Sequence, residues 1–167
     1  GAWAQNTVST GHVDIFGVGY VGGNLELLIH DEEGLGELEP ADTILQVNPG
    51  GYVLRPTGAA FDFLGAPGTS LWILPQSAIE AANRGVIFAG FGTEEVDPAA
   101  WGAGTPITIT LRSVVSAPTG GNFFLWQEDE FGNPTQFMNS TDLASFSSVS
   151  QDAGVHDHYN WGFTAEG

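Results

Sequence analysis

Residues 107–112 have the sequence Ile-Thr-Ile-Thr-Leu-Arg, in which apolar and polar side chains alternate. Successive side chains of a β-strand point to opposite faces, so this alternation predicts a strand with one buried face and one wetter face. The rest of the chain has the same character. Short segments rich in Val, Ile, Thr, Phe and Trp are separated by 24 glycines and 9 prolines in 167 residues. Glycine and proline mark turns, so the sequence predicts an all-β protein.

This pattern predicts about ten strands, a number typical of a β-sandwich or jelly roll. The predicted strands cover residues 11–16, 24–30, 43–48, 52–55, 70–74, 86–91, 106–115, 122–128, 134–138 and 155–164. Only residues 76–83 predict a helix, with a further turn near 97–101. No internal repeat or long linker divides the chain, so we expect one domain over residues 11–167, preceded by an N-terminal segment, residues 1–10.

The N-terminal segment carries a weak export signature. Ala2-Trp3-Ala4 has the small-x-small pattern that precedes signal-peptidase cleavage, so residues 1–4 are a candidate signal-peptide remnant. No run of eighteen or more apolar residues occurs, and no membrane-spanning segment is predicted. Read as an export signal, residues 1–4 predict a secreted, cell-surface or periplasmic protein.

The charge balance excludes several partners. The formal net charge is −17, lysine is absent, and the basic residues are three arginines: Arg55, Arg84 and Arg112. Phosphate binding needs clustered positive charge, so nucleic acid and anionic membrane surfaces are not expected partners. An acidic surface instead attracts cations. The absence of cysteine excludes disulfides, thiolate ligands and iron–sulfur clusters.

Two kinds of segment resemble ligand-binding motifs but are better explained as turns. Gly17-Val-Gly-Tyr-Val-Gly22 matches the dinucleotide-binding fingerprint, but that site requires a helix next, whose N-terminus holds the pyrophosphate. Residues 24–30 show a strand pattern, so we predict a glycine-rich hairpin. The acidic stretches 31–33 and 128–130 offer oxygen ligands for calcium, but neither has the spacing of an EF-hand, so solvated turns are favoured. The sequence has no nucleophile-elbow pattern, so it does not indicate a serine hydrolase. Its twenty acidic residues leave a paired-carboxylate glycosidase as an open alternative.

The four histidines point to a metal. His156 and His158 are two residues apart in a predicted strand and therefore share a face, opposite a core-facing set formed by Asp157, Tyr159, Trp161 and Phe163. The same parity test places His12 and Asp14 opposite Val13 and Ile15, and places His30 opposite Leu25, Leu27 and Ile29. All four histidines therefore project from the face of their predicted strand opposite its main apolar side chains.

If the first and last predicted strands are neighbours, His12 joins His156 and His158. Three imidazoles with a water or a carboxylate form a site for zinc or copper. His30 is then the fourth ligand or a close neighbour, and Asp14 or Asn160 orients an imidazole through its other ring nitrogen. The His-x-His spacing also occurs in cupins, but Glu166 is too far beyond His158 for the cupin pattern.

Several segments together resemble the bacterial, best known as actinobacterial, surface-anchored domains of the "choice-of-anchor M" group. They are Gly11-His-Val-Asp-Ile15, Trp72-Ile-Leu-Pro-Gln76, Phe91-Gly-Thr-Glu-Glu95, residues 125–133, and His156-Asp-His-Tyr-Asn-Trp-Gly-Phe-Thr164, the last being the most specific. The resemblance covers residues 11–167 and implies an exported protein, held at or released from the cell surface and in some bacteria associated with a metal-uptake system. It also implies a further strand beyond Gly167. Its motif is matched by His12, Asp14, His156, His158, Asn160 and Trp161.

Three hypotheses follow. The first is an extracellular domain that binds a divalent transition metal through His12, His156, His158 and His30. The second is a secreted copper or zinc enzyme acting oxidatively or hydrolytically on an extracellular polysaccharide, with an open coordination position. The third is a carbohydrate-binding or adhesion module. In the second and third, exposed aromatic residues form a substrate platform, with Trp3, Tyr20, Trp101 and Tyr159 as the candidates.

Overall fold

The computed structural model describes residues 5–115 and 118–166. Its strands are β1 (Asn6–Val8), β2 (Gly11–Val21), β3 (Asn24–Asp31), β4 (Gly36–Leu38), β5 (Thr43–Leu45), β6 (Tyr52–Leu54), β7 (Ser70–Leu74), β8 (Ile87–Gly92), β9 (Ile107–Thr110), β10 (Phe123–Glu128), β11 (Pro134–Asn139), β12 (Ser148–Gln151), β13 (His156–His158) and β14 (Asn160–Phe163). The α-helices are α1 (Ala78–Arg84) and α2 (Pro98–Trp101), and short 3₁₀ segments span Pro40–Asp42, Pro49–Gly51 and Ala59–Leu64. The predicted all-β class is confirmed.

Two five-stranded sheets dominate the fold. The first, which we call the site sheet, has the order β13-β8-β2-β3-β4, and the second has the order β11-β10-β14-β7-β6. Within the site sheet β2 and β8 are parallel, and the other pairs are antiparallel. Two small pairs complete the fold: β1 with β5 in parallel, and β9 with β12 antiparallel. The arrangement is that of a β-sandwich.

Alternation along the two central strands of the site sheet places the core on one face. Val13, Ala89 and Phe91 are completely buried and pack in one cluster with Leu125 and Trp161 of the second sheet. The residues between them in sequence therefore project from the opposite face. That opposite face of the site sheet carries the polar residues of interest.

The C-terminal strand differs from the prediction in one decisive respect. Residues 155–164 form two strands, because the chain leaves the site sheet after His158 and enters the second sheet at Asn160. Tyr159 and Trp161 are buried as predicted, whereas Phe163 is half-buried. Asp157, placed in the same core-facing set, is exposed and accepts a hydrogen bond from Nε2 of Gln127. Asp157 pairs with the buried Phe91 and so shares its face, but β13 is a three-residue edge strand and this position is open to solvent.

Other strand boundaries also differ from the prediction. The folded structure includes Asn6–Val8, which pair with β5, inside the segment predicted to precede the domain. The predicted strand 106–115 is limited to Ile107–Thr110, and three short strands, β1, β4 and β12, were not predicted. The predicted helix is present as α1, capped by Ser77, whose side chain accepts a hydrogen bond from the backbone N–H of Glu80, and ended by Gly85 in a left-handed conformation.

The glycine-rich motif forms a hairpin, as predicted. β2 continues to Val21, which pairs with Asn24, and Gly22 and Gly23 turn the chain at φ values of 60° and 87°. Two successive positive φ values suit a tight two-residue hairpin loop and favour glycine. None of the helices formed by the described residues combines the length and the hydrophobicity that a bilayer crossing needs.

Candidate metal centre

Three strands of the site sheet bring the histidines together. His12 and Asp14 lie on β2, and His156 and His158 lie on β13. The sequence argument assumed that the first and last predicted strands are neighbours, and this is wrong, because β8 lies between them. The side chains therefore meet by reaching over the middle strand.

Two glycines of β8 allow this meeting. Gly90 pairs with Asp14 on one side and with His158 on the other, while Gly92 pairs with His156. A Cβ atom on Gly90 would overlap Oδ1 of Asp14 and lie 2.7 Å from Nε2 of His156, and a Cβ atom on Gly92 would overlap the Asp14 carboxylate. The space above both glycines is thus filled by the candidate ligands.

The ring nitrogens of the histidines converge. Nε2 of His12 lies 3.2 Å from Nε2 of His156, and the ring of His158 lies 4.8 Å from that of His12 and 4.6 Å from that of His156, centroid to centroid. One ligand nitrogen from each of the three histidines lies within 4.8 Å of the others. The predicted grouping of these three residues is present, and the cluster could hold a metal ion.

Each histidine has an acceptor beside its other ring nitrogen. Nδ1 of His158 donates to the carbonyl oxygen of Ala89 at 3.0 Å, since a carbonyl can only accept. Nδ1 of His12 lies 2.9 Å from Oε2 of Glu32, and Nδ1 of His156 lies 3.5 Å from Oε2 of Glu94. In His158 this hydrogen bond leaves the Nε2 lone pair free for a metal, as is usual for metal-ligating histidines. In His12 and His156 a carboxylate beside Nδ1 favours the same tautomer.

Asp14 lies against two of the three histidines, His12 and His156. Its Oδ1 lies 2.8 Å from Nε2 of His156 and 3.8 Å from Nε2 of His12. The residue is 1% exposed, and Oδ1 has no hydrogen-bond partner among the described residues. The sequence argument placed Asp14 on the outer face as an orienting group. The structure instead places it as a candidate ligand, with His12, His156 and Glu32 in a second ligand-type group.

The charge state of this pocket follows from burial. Desolvation raises the pKa of Asp14, and the neighbouring His156 and His12 partly oppose the rise. Desolvation also lowers the pKa of His158 to about 4, against the favourable hydrogen bond to Ala89. Phe88 stacks on the His158 ring at a centroid distance of 3.4 Å. His158 is therefore neutral at physiological pH, which is the form that binds metal.

Two predicted site residues lie elsewhere. His30 pairs with Asp14 across β2 and β3 but belongs to neither of the ligand-type groups found among the described residues. Asn160 lies in the second sheet, where its side chain bonds Gln76 and Glu128 and not an imidazole. Its role is to join β14 to the segment after β7. It does not orient a histidine because the chain has already changed sheets.

The structure adds residues that the sequence argument missed. Glu32 lies two positions after His30 and shares its parity, so strand geometry could have identified it. Glu94 follows the end of β8, and only its place after the glycine-rich strand would have hinted at it. The roles of the Ala89 carbonyl and of Gly90 carry no sequence signal, because they depend on the pairing of β8.

The calcium stretches form hydrogen-bonded turns. Oδ2 of Asp31 accepts from the N–H of Leu35, and Oδ1 of Asp129 accepts from the N–H groups of Phe131 and Asn133. The hydrogen bonds from Asn133 lower the pKa of Asp129. These carboxylates therefore act as turn-stabilising acceptors.

The aromatic candidates do not form an exposed row among the described residues. Tyr20 and Trp101 pack edge to face with centroids 5.5 Å apart, and Tyr159 is buried against Phe137. Trp3 and the predicted signal remnant lie outside the described residues.

Comparison with known proteins leaves the chain without an assigned relative. No protein-family model matches it, and neither the curated proteins nor the solved structures contain a match.

Proposed function

We propose that this chain is an exported domain that binds a divalent transition metal, zinc or copper, through Nε2 of His12, His156 and His158 and the carboxylate of Asp14. The supporting observation is the convergence of ligand atoms, since one ring nitrogen from each of the three histidines lies within 4.8 Å of the other two. Nε2 of His12 and Nε2 of His156 are 3.2 Å apart, and the buried Oδ1 of Asp14 lies beside both without a hydrogen bond. When the proton of each imidazole is on Nδ1, these atoms are all acceptors, and a cation between them stabilises the arrangement.

The donor set supports zinc or copper. Imidazole nitrogen suits zinc and copper(II), whereas soft copper(I) prefers sulfur ligands, and the chain has no cysteine and one methionine. His12 and His156 belong both to the group with His158 and to the group with Asp14, so three imidazoles and one carboxylate would supply four donors, the number that tetrahedral structural zinc sites use. Catalytic zinc sites usually keep one position for water, so this donor count favours binding over hydrolysis.

The surroundings support capture of a cation. Glu32 and Glu94 lie beside the imidazoles, and the whole chain carries a formal charge of −17. A surface of one sign raises the local concentration of counter-ions and speeds their association. Export to the cell surface or periplasm rests on the resemblance of His156–Thr164 and its companion segments to surface-anchored domains, which also makes a metal-uptake system a candidate partner.

Calorimetric titration tests the proposal. Protein purified without a metal-affinity tag is titrated with zinc and with copper(II), and compared with His12→Ala and His158→Ala. Both variants should lose at least tenfold in affinity, and by a similar factor. Acidification to about pH 5 should weaken binding, because protons compete for imidazole ligands. His30→Ala is the matched control and should keep the high-affinity event. Unchanged affinity in His12→Ala would refute this ligand set.

A further inference from the structure

A second group of ligand-type side chains lies beside the proposed centre, on the far side of Asp14. Asp14 pairs directly with His30, and His30 pairs directly with Glu37 on β4. Residues directly opposite in an antiparallel pair project to the same face with Cβ atoms about 5 Å apart. The three side chains therefore form a row across three adjacent strands.

This row borders a small cavity. The cavity is lined by Asp14, His30, Glu37, Glu94, Glu95 and Gly92, among others. Asp14 contributes a side chain that is 2% exposed, its Oδ1 has no hydrogen-bond partner among the described residues, and its Oδ2 lies directly above Gly92. The carboxylate thus places Oδ1 beside His12 and His156, and Oδ2 beside Gly92, which also lines the cavity. A buried carboxylate with no hydrogen-bond partner at one oxygen is stabilised in its charged form by positive charge nearby.

No arginine is placed to supply that charge. Arg55 is paired with Asp62, and Arg84 with Glu80. The third arginine, Arg112, follows β9, which pairs with β12 and not with the site sheet. One divalent ion at the histidines would take one side of the Asp14 carboxylate, while three further carboxylates, those of Glu37, Glu94 and Glu95, reach the cavity from exposed positions.

We infer that a second divalent cation binds in this cavity, held by His30, Glu94 and Glu37 and bridged to the first ion by the Asp14 carboxylate. This inference rests on the proposed function, because Asp14 is shared. Glu94 connects the two positions as well, since one of its oxygens lies 3.5 Å from Nδ1 of His156. Imidazole with several carboxylates suits zinc or manganese.

The second ion binds more weakly than the first. The donor atoms around His30 are not gathered within 4.8 Å, as those of the first cluster are. Glu37 is exposed and the Glu94 side chain is 51% exposed, so both must give up rotamer freedom to close on an ion. Binding should therefore occur in two steps, with the histidine cluster filled first.

Zinc titration followed by calorimetry and elemental analysis tests the inference. We expect two equivalents in the wild type, and one in His30→Ala with the high-affinity event retained. Glu37→Gln should weaken the second step at least tenfold, while Glu39→Gln, an exposed glutamate outside the cavity, should leave both steps unchanged. In copper(II) EPR, ions bridged at roughly 3.5–4 Å should couple, so the signal should not double with the second equivalent.

The outcomes separate the two proposals. One equivalent in the wild type, or two in His30→Ala, would overturn the second site while leaving the histidine centre intact. Two uncoupled copper ions would overturn the Asp14 bridge. Absence of any high-affinity event would instead refute the proposed function, and the bridged site with it.

Discussion

Replacing Asp14 with asparagine should separate stability from metal binding. In the metal-free protein the buried carboxylate lacks a hydrogen-bond partner at Oδ1, and an unsatisfied buried polar group costs about 1–3 kcal/mol, with more for a charge. Asparagine keeps the shape, removes the charge, and places an NH₂ donor within reach of Nε2 of His156, which is 2.8 Å from Oδ1. We expect Asp14→Asn to raise the free energy of unfolding by about 1 kcal/mol.

The same substitution should weaken metal binding, because it removes an anionic ligand. Zinc at a hundred times its dissociation constant stabilises a protein by about 2.7 kcal/mol. With affinity reduced at least tenfold, Asp14→Asn should gain no more than about 1.4 kcal/mol at the same zinc concentration. Urea unfolding in EDTA and in zinc measures both effects, with the exposed Asp152→Asn as matched control.

The pH dependence of this gain has a definite sign. The pKa of Asp14 is raised from 3.8 by burial, so the charged form destabilises the metal-free fold above that raised pKa. The advantage of Asp14→Asn should be complete there and fade as the pH falls toward 3.8, where wild-type Asp14 is also neutral. A metal-free Asp14→Asn protein that is less stable than wild type at neutral pH would refute the reasoning about the unpartnered carboxylate.

Three further results are expected. In urea unfolding of the metal-free protein, Trp161→Ala should lower the free energy of unfolding by about 3–5 kcal/mol through lost burial and a cavity, and His158→Ala should lower it much less. The reverse order would contradict the assignment of these residues to the two faces. Gly90→Ala should weaken zinc binding in calorimetry at least tenfold, because its Cβ would overlap Asp14. Gly19→Ala should not weaken it, because its Cβ would meet only a side-chain atom of Leu28 at 3.5 Å. Equal effects of the two substitutions would refute the clash. The metal-free wild type should lose stability relative to His158→Asn as the pH falls from 6.5 toward 4. The reason is that the unfolded chain binds a proton at His158, whereas the folded chain does not until about pH 4. Parallel pH profiles of the two proteins would refute the burial of this ring.

The fold class was predictable because it depends on local patterns. Alternation at residues 107–112 and the glycine turns indicate strands without any knowledge of their partners, and the Gly22–Gly23 hairpin follows from the turn itself. Short strands such as β1 and β4 were missed because three residues carry too little periodicity. The break after His158 was missed because the chain keeps an extended conformation while it changes sheets.

The site was partly predictable for the same reason. The alternation of side chains along a strand correctly placed His156 and His158 on one face. It also placed His12 on the face opposite the core. Parity cannot say which strand lies beside which, so the argument had to assume that β2 and β13 touch, and it could not see β8 between them. The burial of Asp14 was unpredictable because it arises from Gly90 and Gly92 on that intervening strand.

The position of the cluster gives metal binding a structural consequence. β13 is a three-residue edge strand that pairs with β8 and accepts hydrogen bonds from the Gln127 side chain, and it contributes two of the three histidines. An ion shared with His12 would join positions 144 residues apart and tie this edge to β2 across β8. A cross-link over a long loop restricts the unfolded chain, and its effect grows only logarithmically with loop length. Its larger local effect is to hold a short edge strand, which is the kind of element that opens first. Metal binding should therefore slow amide exchange in β13 more than in the central strands.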